Sequence, residues 1–185
     1  MRHWRCACSR CSLSVIAALL GLAILLSTSG LAAEGAENPG AAAWRRGRVL
    51  LEQGLVDAAI AQFTRLVQYD PEDPVAYCYR ADAYARKKDW APVLQDAQRA
   101  IKLDPKLAWA YVLRGQAYAG MKQTEKALAD FAQAIRLDAE FVPAYVQRGY
   151  LYAGLNQPER ANRDFRTANR LIIQHATGGQ RTQRR

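Results

Sequence analysis

The stretch at residues 110–120, AYVLRGQAYAG, returns thirty-four residues later as AYVQRGYLYAG, and thirty-four earlier the chain reads AYCYRADAYAR. A phrase recurring at this fixed interval constrains the fold more than any local propensity does. Each copy must be one supersecondary unit that buries its apolar face against its neighbours. With the Gly of "RG" as reference, four consecutive blocks follow without insertion: 40–73, 74–107, 108–141 and 142–175. Each holds two helical patterns divided by a short break, so the chain reads as all-α.

The breaks carry the matching chemistry. Asn38-Pro39 and Asp73-Pro74 each place an N-cap before a proline in the first turn. Gly54 closes one helix, and Asp70-Pro71 and Asp104-Pro105 stop others. Within the first helix of the blocks, Tyr77-Ala81-Tyr84 recurs as Tyr111-Gly115-Tyr118 and Tyr145-Gly149-Tyr152. Steps of four and three put each set on one helical face. Large, small, large is what close helix packing requires. The second helix supplies Ala59 and Phe63, Ala127 and Phe131, and Ala161 and Phe165. Aromatics at this spacing are core, not a cofactor box.

These small and aromatic positions, with a closing Asp-Pro, resemble the tetratricopeptide repeat. The third block carries Tyr111, Gly115, Tyr118, Ala127, Phe131 and Ala134, with Ala139 in place of the closing Pro. The second block departs, with Val93 and Ala97 where Ala and an aromatic are usual, and the first has Ala43 in place of the leading aromatic. The resemblance implies a right-handed α-solenoid of four helix-turn-helix repeats whose first helices line a concave groove. Groove positions carried over residue by residue are Ala41, Trp44, Arg48 and Leu51; Val75, Cys78, Asp82 and Ala85; Trp109, Val112, Gln116 and Ala119; and Pro143, Val146, Tyr150 and Ala153. The implied binding set is Trp44, Arg48, Cys78, Asp82, Trp109, Val112, Gln116, Val146 and Tyr150. Trp44, Trp109 and Tyr150 are of the types that anchor interfaces. Some members hold a terminal carboxylate with groove Lys; Trp44, Cys78, Val112 and Val146 stand at the corresponding positions, which argues against that specificity. An extended hydrophobic segment or an amphipathic helix fits better. The competing reading has the groove closed by the chain's own linker.

Every block holds Arg just before the small residue: Arg46, Arg80, Arg114 and Arg148. An Arg among packed helices needs a partner. Asp96, Asp130 and Asp164 each follow an Arg by sixteen residues, while the first block has Gln62 there. An ion-pair ladder follows, although Asp96 can equally face Arg114, and an anion-binding track is the alternative.

Toward the end of the array, the docking positions Ile60/Val67, Leu94/Ile101 and Leu128/Ile135 become Asn162/Asn169. A polar pair there is what a terminal repeat needs, so a monomer is favoured, with Leu171, Ile172 and Ile173 leaving dimerisation as a lesser option. Residues 176–185 are Gly, Gln and Arg rich, and are expected to be a disordered basic tail. The formal charge is +9. Without aromatics among the C-terminal Arg residues, nucleic acid is a poor partner; an anionic surface is the other candidate.

Residues 1–33 combine Arg2, Arg5 and Arg10, an apolar run at 13–26, and small residues up to Ala33. That is the composition of a secretory signal or, if retained, an N-terminal membrane anchor, and it points the repeats away from the cytoplasm. Cys6, Cys8 and Cys11 precede the apolar run and read as incidental; Cys78 alone follows it, so the fold rests on packing. One His after residue 33 (His175), no phosphate loop and no nucleophile elbow leave catalysis without residues to perform it. The expectation is an exported, non-enzymatic adaptor without metal or cofactor that binds a protein segment. The alternative is a membrane-anchored assembly factor recruiting a partner through the same repeats.

Overall fold

In the computed structural model, residues 38–181 are described, with side chains through Thr177. The expected signal or anchor at 1–33, Cys6, Cys8 and Cys11 lie outside the described residues, as do positions 182–185. Eight helices follow in order: α1 (Pro39–Glu52), α2 (Val56–Tyr69), α3 (Pro74–Arg86), α4 (Trp90–Leu103), α5 (Ala108–Gly120), α6 (Thr124–Leu137), α7 (Val142–Gly154) and α8 (Pro158–Arg181). They pair as α1/α2, α3/α4, α5/α6 and α7/α8, and each pair packs on the next. The first helices α3, α5 and α7 also touch one another, forming the inner layer of the solenoid. Among the described residues there is no strand, and no helix is long and apolar enough to cross a membrane.

Why these residues make helix pairs is visible at the turns. Asp73 Oδ1 accepts the Val75 N–H at 2.8 Å with Pro74 in the first turn, the arrangement its sequence implied. Asp70, Asp104 and Asp138 cap α2, α4 and α6 at their C-termini, and their carboxylates accept from Glu72, Lys106 and Glu140 N–H. Above each such turn the Tyr77, Tyr111 or Tyr145 hydroxyl donates to the carbonyl of Pro71, Pro105 or Ala139. The break inside each repeat needs one residue at positive φ. Gly54 takes it at 75°, and Lys88, Lys122 and Asn156 hold the same place at 58–60°.

The core alternates small against large across each pair. Phe63 and Phe131 are fully buried, and a Cβ at Gly47 or Gly115 would stand 2.5 or 2.6 Å from their rings. Gly149 meets Phe165 the same way. The second repeat replaces the ring with Ala97, and its small residue is Ala81 rather than Gly; both are wholly buried. A missing ring thus leaves room for one Cβ, and the chain fills it.

The C-terminus departs from expectation. The sequence suggests a disordered tail from 176, yet α8 runs twenty-four residues to Arg181. The cause lies in the fourth block's last turn, where Ile172 stands at the position of Asp70, Asp104 and Asp138, so the stop signal is absent. Thr177 Oγ1 bonds back to the Ile173 carbonyl, and His175 Nε2 lies 3.4 Å from Glu140 Oε2. Ile172 and Ile173 are exposed.

Candidate functional site

The inner layer carries a hollow of about 480 Å³ where α3, α5 and α7 meet. Asp82 and Arg86 from α3, Gln116 and Ala119 from α5, and Gln147 and Tyr150 from α7 line it, with Trp90 of α4 at one wall. Asp82 and Arg86 are one helical turn apart and join through Nε–Oδ2 at 3.2 Å. Trp90 reaches the hollow because Gly120 gives it space: a Cβ there would sit 2.2 Å from the indole. The Gln116 Oε1 atom is buried and has no hydrogen-bond partner among the described residues. Tyr150 stands 64% exposed over the hollow, its ring edge-on to Phe165 at 5.3 Å. The chemistry on offer is an apolar floor, the Gln116 and Gln147 amides and one ion pair. Among the described residues no His/Cys/Asp/Glu cluster could hold a metal.

The groove set expected from sequence divides. Asp82, Gln116 and Tyr150 come together in the hollow, and Val146 is half-buried on the same helix as Tyr150. Trp44, Arg48 and Trp109 do not line the hollow. Arg48 lies over the Trp44 ring at 5.1 Å and faces Glu52, while Trp44 and Trp109 both pack edge-on against Tyr79, at 6.0 and 5.0 Å. Cys78 and Val112 are not groove residues. They are 0% and 2% exposed, because the helix of the following repeat covers that side of α3 and α5. Cys78 packs in one cluster with Ala110 and Leu113; burial first, then Asp73, pushes its thiol pKa up. Arg86, Trp90, Gln147 and Tyr79 were not singled out in the sequence. Trp90 alone carried a signal, being a large ring at a helix start.

Each recurring Arg except the first is held by the Asp sixteen residues on, within its own repeat. Arg80 donates from Nε and Nη2 to Asp96 Oδ2 and Oδ1 at 2.8 and 2.7 Å. The same two-pronged pairing joins Arg114 to Asp130 and Arg148 to Asp164. The three Asp residues are buried and the guanidiniums lie over Tyr77, Tyr111 and Tyr145. Hydrogen bonding to the carboxylate, against an opposing burial effect, raises each Arg pKa. The four Arg residues therefore do not form one open anion track.

Residues 47–88 match the family described as TPR repeat, and residues 97–129 the one described as tetratricopeptide repeat. The chain is a tetratricopeptide-repeat protein. Among solved structures, a thermophilic TPR protein of Thermus thermophilus is 24% identical, with TM-score 0.68 over 71% of this chain and 74% of its own. MamA is 25% identical, with TM-score 0.59 over 75% of this chain and 81% of that one. The first TPR of Spaghetti (RPAP3), solved bound to the HSP90 peptide SRMEEVD, is 27% identical, with TM-score 0.58 over 63% and 93%. No curated protein matches the chain. In tetratricopeptide terms, the hollow lies on the inner face of the second, third and fourth repeats.

Proposed function

We propose that this tetratricopeptide-repeat protein is a non-enzymatic adaptor that takes a protein segment in the hollow of α3, α5 and α7. The observation that carries the reading is Tyr150, a large aromatic left 64% exposed beside a pocket rather than packed into the core. An extended segment would lay its side chains against Tyr150 and Trp90. The peptide complex of the RPAP3 domain supports a protein partner. A photo-crosslinker placed at Gln147 of the full chain should trap a partner, and Tyr150→Ala should remove it. Equal trapping from Lys126, outside the hollow, would move the site elsewhere.

The adaptor is further proposed to work outside the cytoplasm. Arg2, Arg5 and Arg10 ahead of the apolar run support this. N-terminal sequencing of the protein from its cells should find a start at Ala33. A membrane-bound chain beginning at Met1 would favour the anchored assembly factor instead.

A further inference from the structure

The first repeat breaks the ladder. Gln62 occupies the place of Asp96, Asp130 and Asp164, and Ala43 that of Tyr77, Tyr111 and Tyr145. Arg46 thus has neither the carboxylate nor the ring that hold its three counterparts; it is exposed, with no ion pair among the described residues. Gln62 Oε1 is buried without a hydrogen-bond partner among them. Both residues line one cavity of about 370 Å³, together with Arg45, Val49 and Leu50. Val49 is 49% exposed, whereas its counterparts Ala83 and Ala117 are wholly buried under the preceding repeat.

We propose that this cavity is a second binding site, independent of the inner hollow, for an acidic residue of a partner protein flanked by an aliphatic one. Charge and shape argue for that occupant. A guanidinium fork is matched by two carboxylate oxygens, and the other three repeats show that fork filled by an Asp from the neighbouring helix. Here the incoming carboxylate meets the exposed Arg46 from outside, as that Asp meets its Arg from within in the other repeats. The aliphatic neighbour covers Val49 and Leu50.

The test titrates N-acetyl-Leu-Asp-Leu-amide into the full chain while following the Val49 and Leu50 amide resonances. Saturable shifts are expected, at least roughly tenfold weaker with the Leu-Asn-Leu analogue, which lacks the charge. Arg46→Ala should abolish them. Gln62→Asp should abolish them too, because it supplies the carboxylate from within and completes the fork of the other repeats. Tyr150→Ala should leave them unchanged, which separates this site from the inner hollow. Equal response to the Asn peptide, or full binding by Gln62→Asp, would overturn the proposal, as would absence of any shift in the wild-type chain.

Discussion

Arg114 grips Asp130 across the two helices of the third repeat, Nε to Oδ2 at 2.8 Å and Nη2 to Oδ1 at 2.7 Å. Asp130 is 6% exposed, so its charge has little water to fall back on. Removing one partner of such a pair strands the other, and the loss exceeds what the pair contributes over a well-packed apolar substitute.

Asp130→Ala should therefore destabilise the fold by about 2–3 kcal/mol, below the roughly 3–5 kcal/mol of a fully buried pair because Arg114 keeps some solvent contact. The cationic half will not titrate away: the hydrogen bonds to Asp130 raise the Arg114 pKa, so its contribution is fully present below the ordinary Arg value and is lost only above the raised one. Urea denaturation at neutral pH measures the effect. An unchanged midpoint would mean that water replaces the fork at no cost.

Gly115→Ala tests the packing of the same repeat. The new Cβ would lie 2.6 Å from Cε1 of Phe131, a ring that is 1% exposed and has nowhere to move. Overpacking of this kind costs about 1–3 kcal/mol, more than the gain of up to about 1 kcal/mol for Ala over Gly in a helix. Gly149→Ala makes a similar clash with Phe165, but that ring is only partly buried and can shift. Thermal melts should show Gly115→Ala clearly lowered and Gly149→Ala close to wild type. Equal losses would show that Phe165 is as confined as Phe131.

What was legible in the sequence divides along the same lines. Gly115 and Phe131 recur at fixed offsets, so the pair packing and the repeat boundaries could be read directly. The Arg–Asp register could not, because Asp96 is compatible by spacing with Arg80 or Arg114, and only the angle between helices decides. Cys78 and Val112 share a helical face with Asp82 and Gln116, which line the hollow, yet the approach of the next repeat hides them, a tertiary fact that spacing alone does not contain. Residues 176–181 suggested coil by their Gly content. The decisive letter was Ile172, which removes the Asp stop present in the other repeats.

Cys78 offers a reading of pH. Burial pushes its thiol above the ordinary 9.0, so the native state favours the protonated form. The stability tied to it is present in full below 9.0 and is lost as pH climbs toward the raised native value. At pH 8 the Cys78 thiol should resist alkylation by iodoacetamide until denaturant is added, as read by mass mapping of its peptide. Prompt modification of the folded chain would contradict its placement between α3 and α5.

The inner hollow is best tested by contrasting two aromatics. Trp109 is half-buried and packs edge-on against Tyr79, which in turn stacks on Phe63 at 5.5 Å. Trp109→Ala therefore opens the seam between repeats and should lower stability by about 2–4 kcal/mol before binding is considered. Tyr150 is 64% exposed and supports little besides its contact with Phe165, so Tyr150→Ala should shift the unfolding midpoint by less than about 1 kcal/mol. If the hollow is the partner site, Tyr150→Ala loses capture while its melt stays near wild type. Capture retained by Tyr150→Ala would remove the hollow from consideration, whatever Trp109→Ala does.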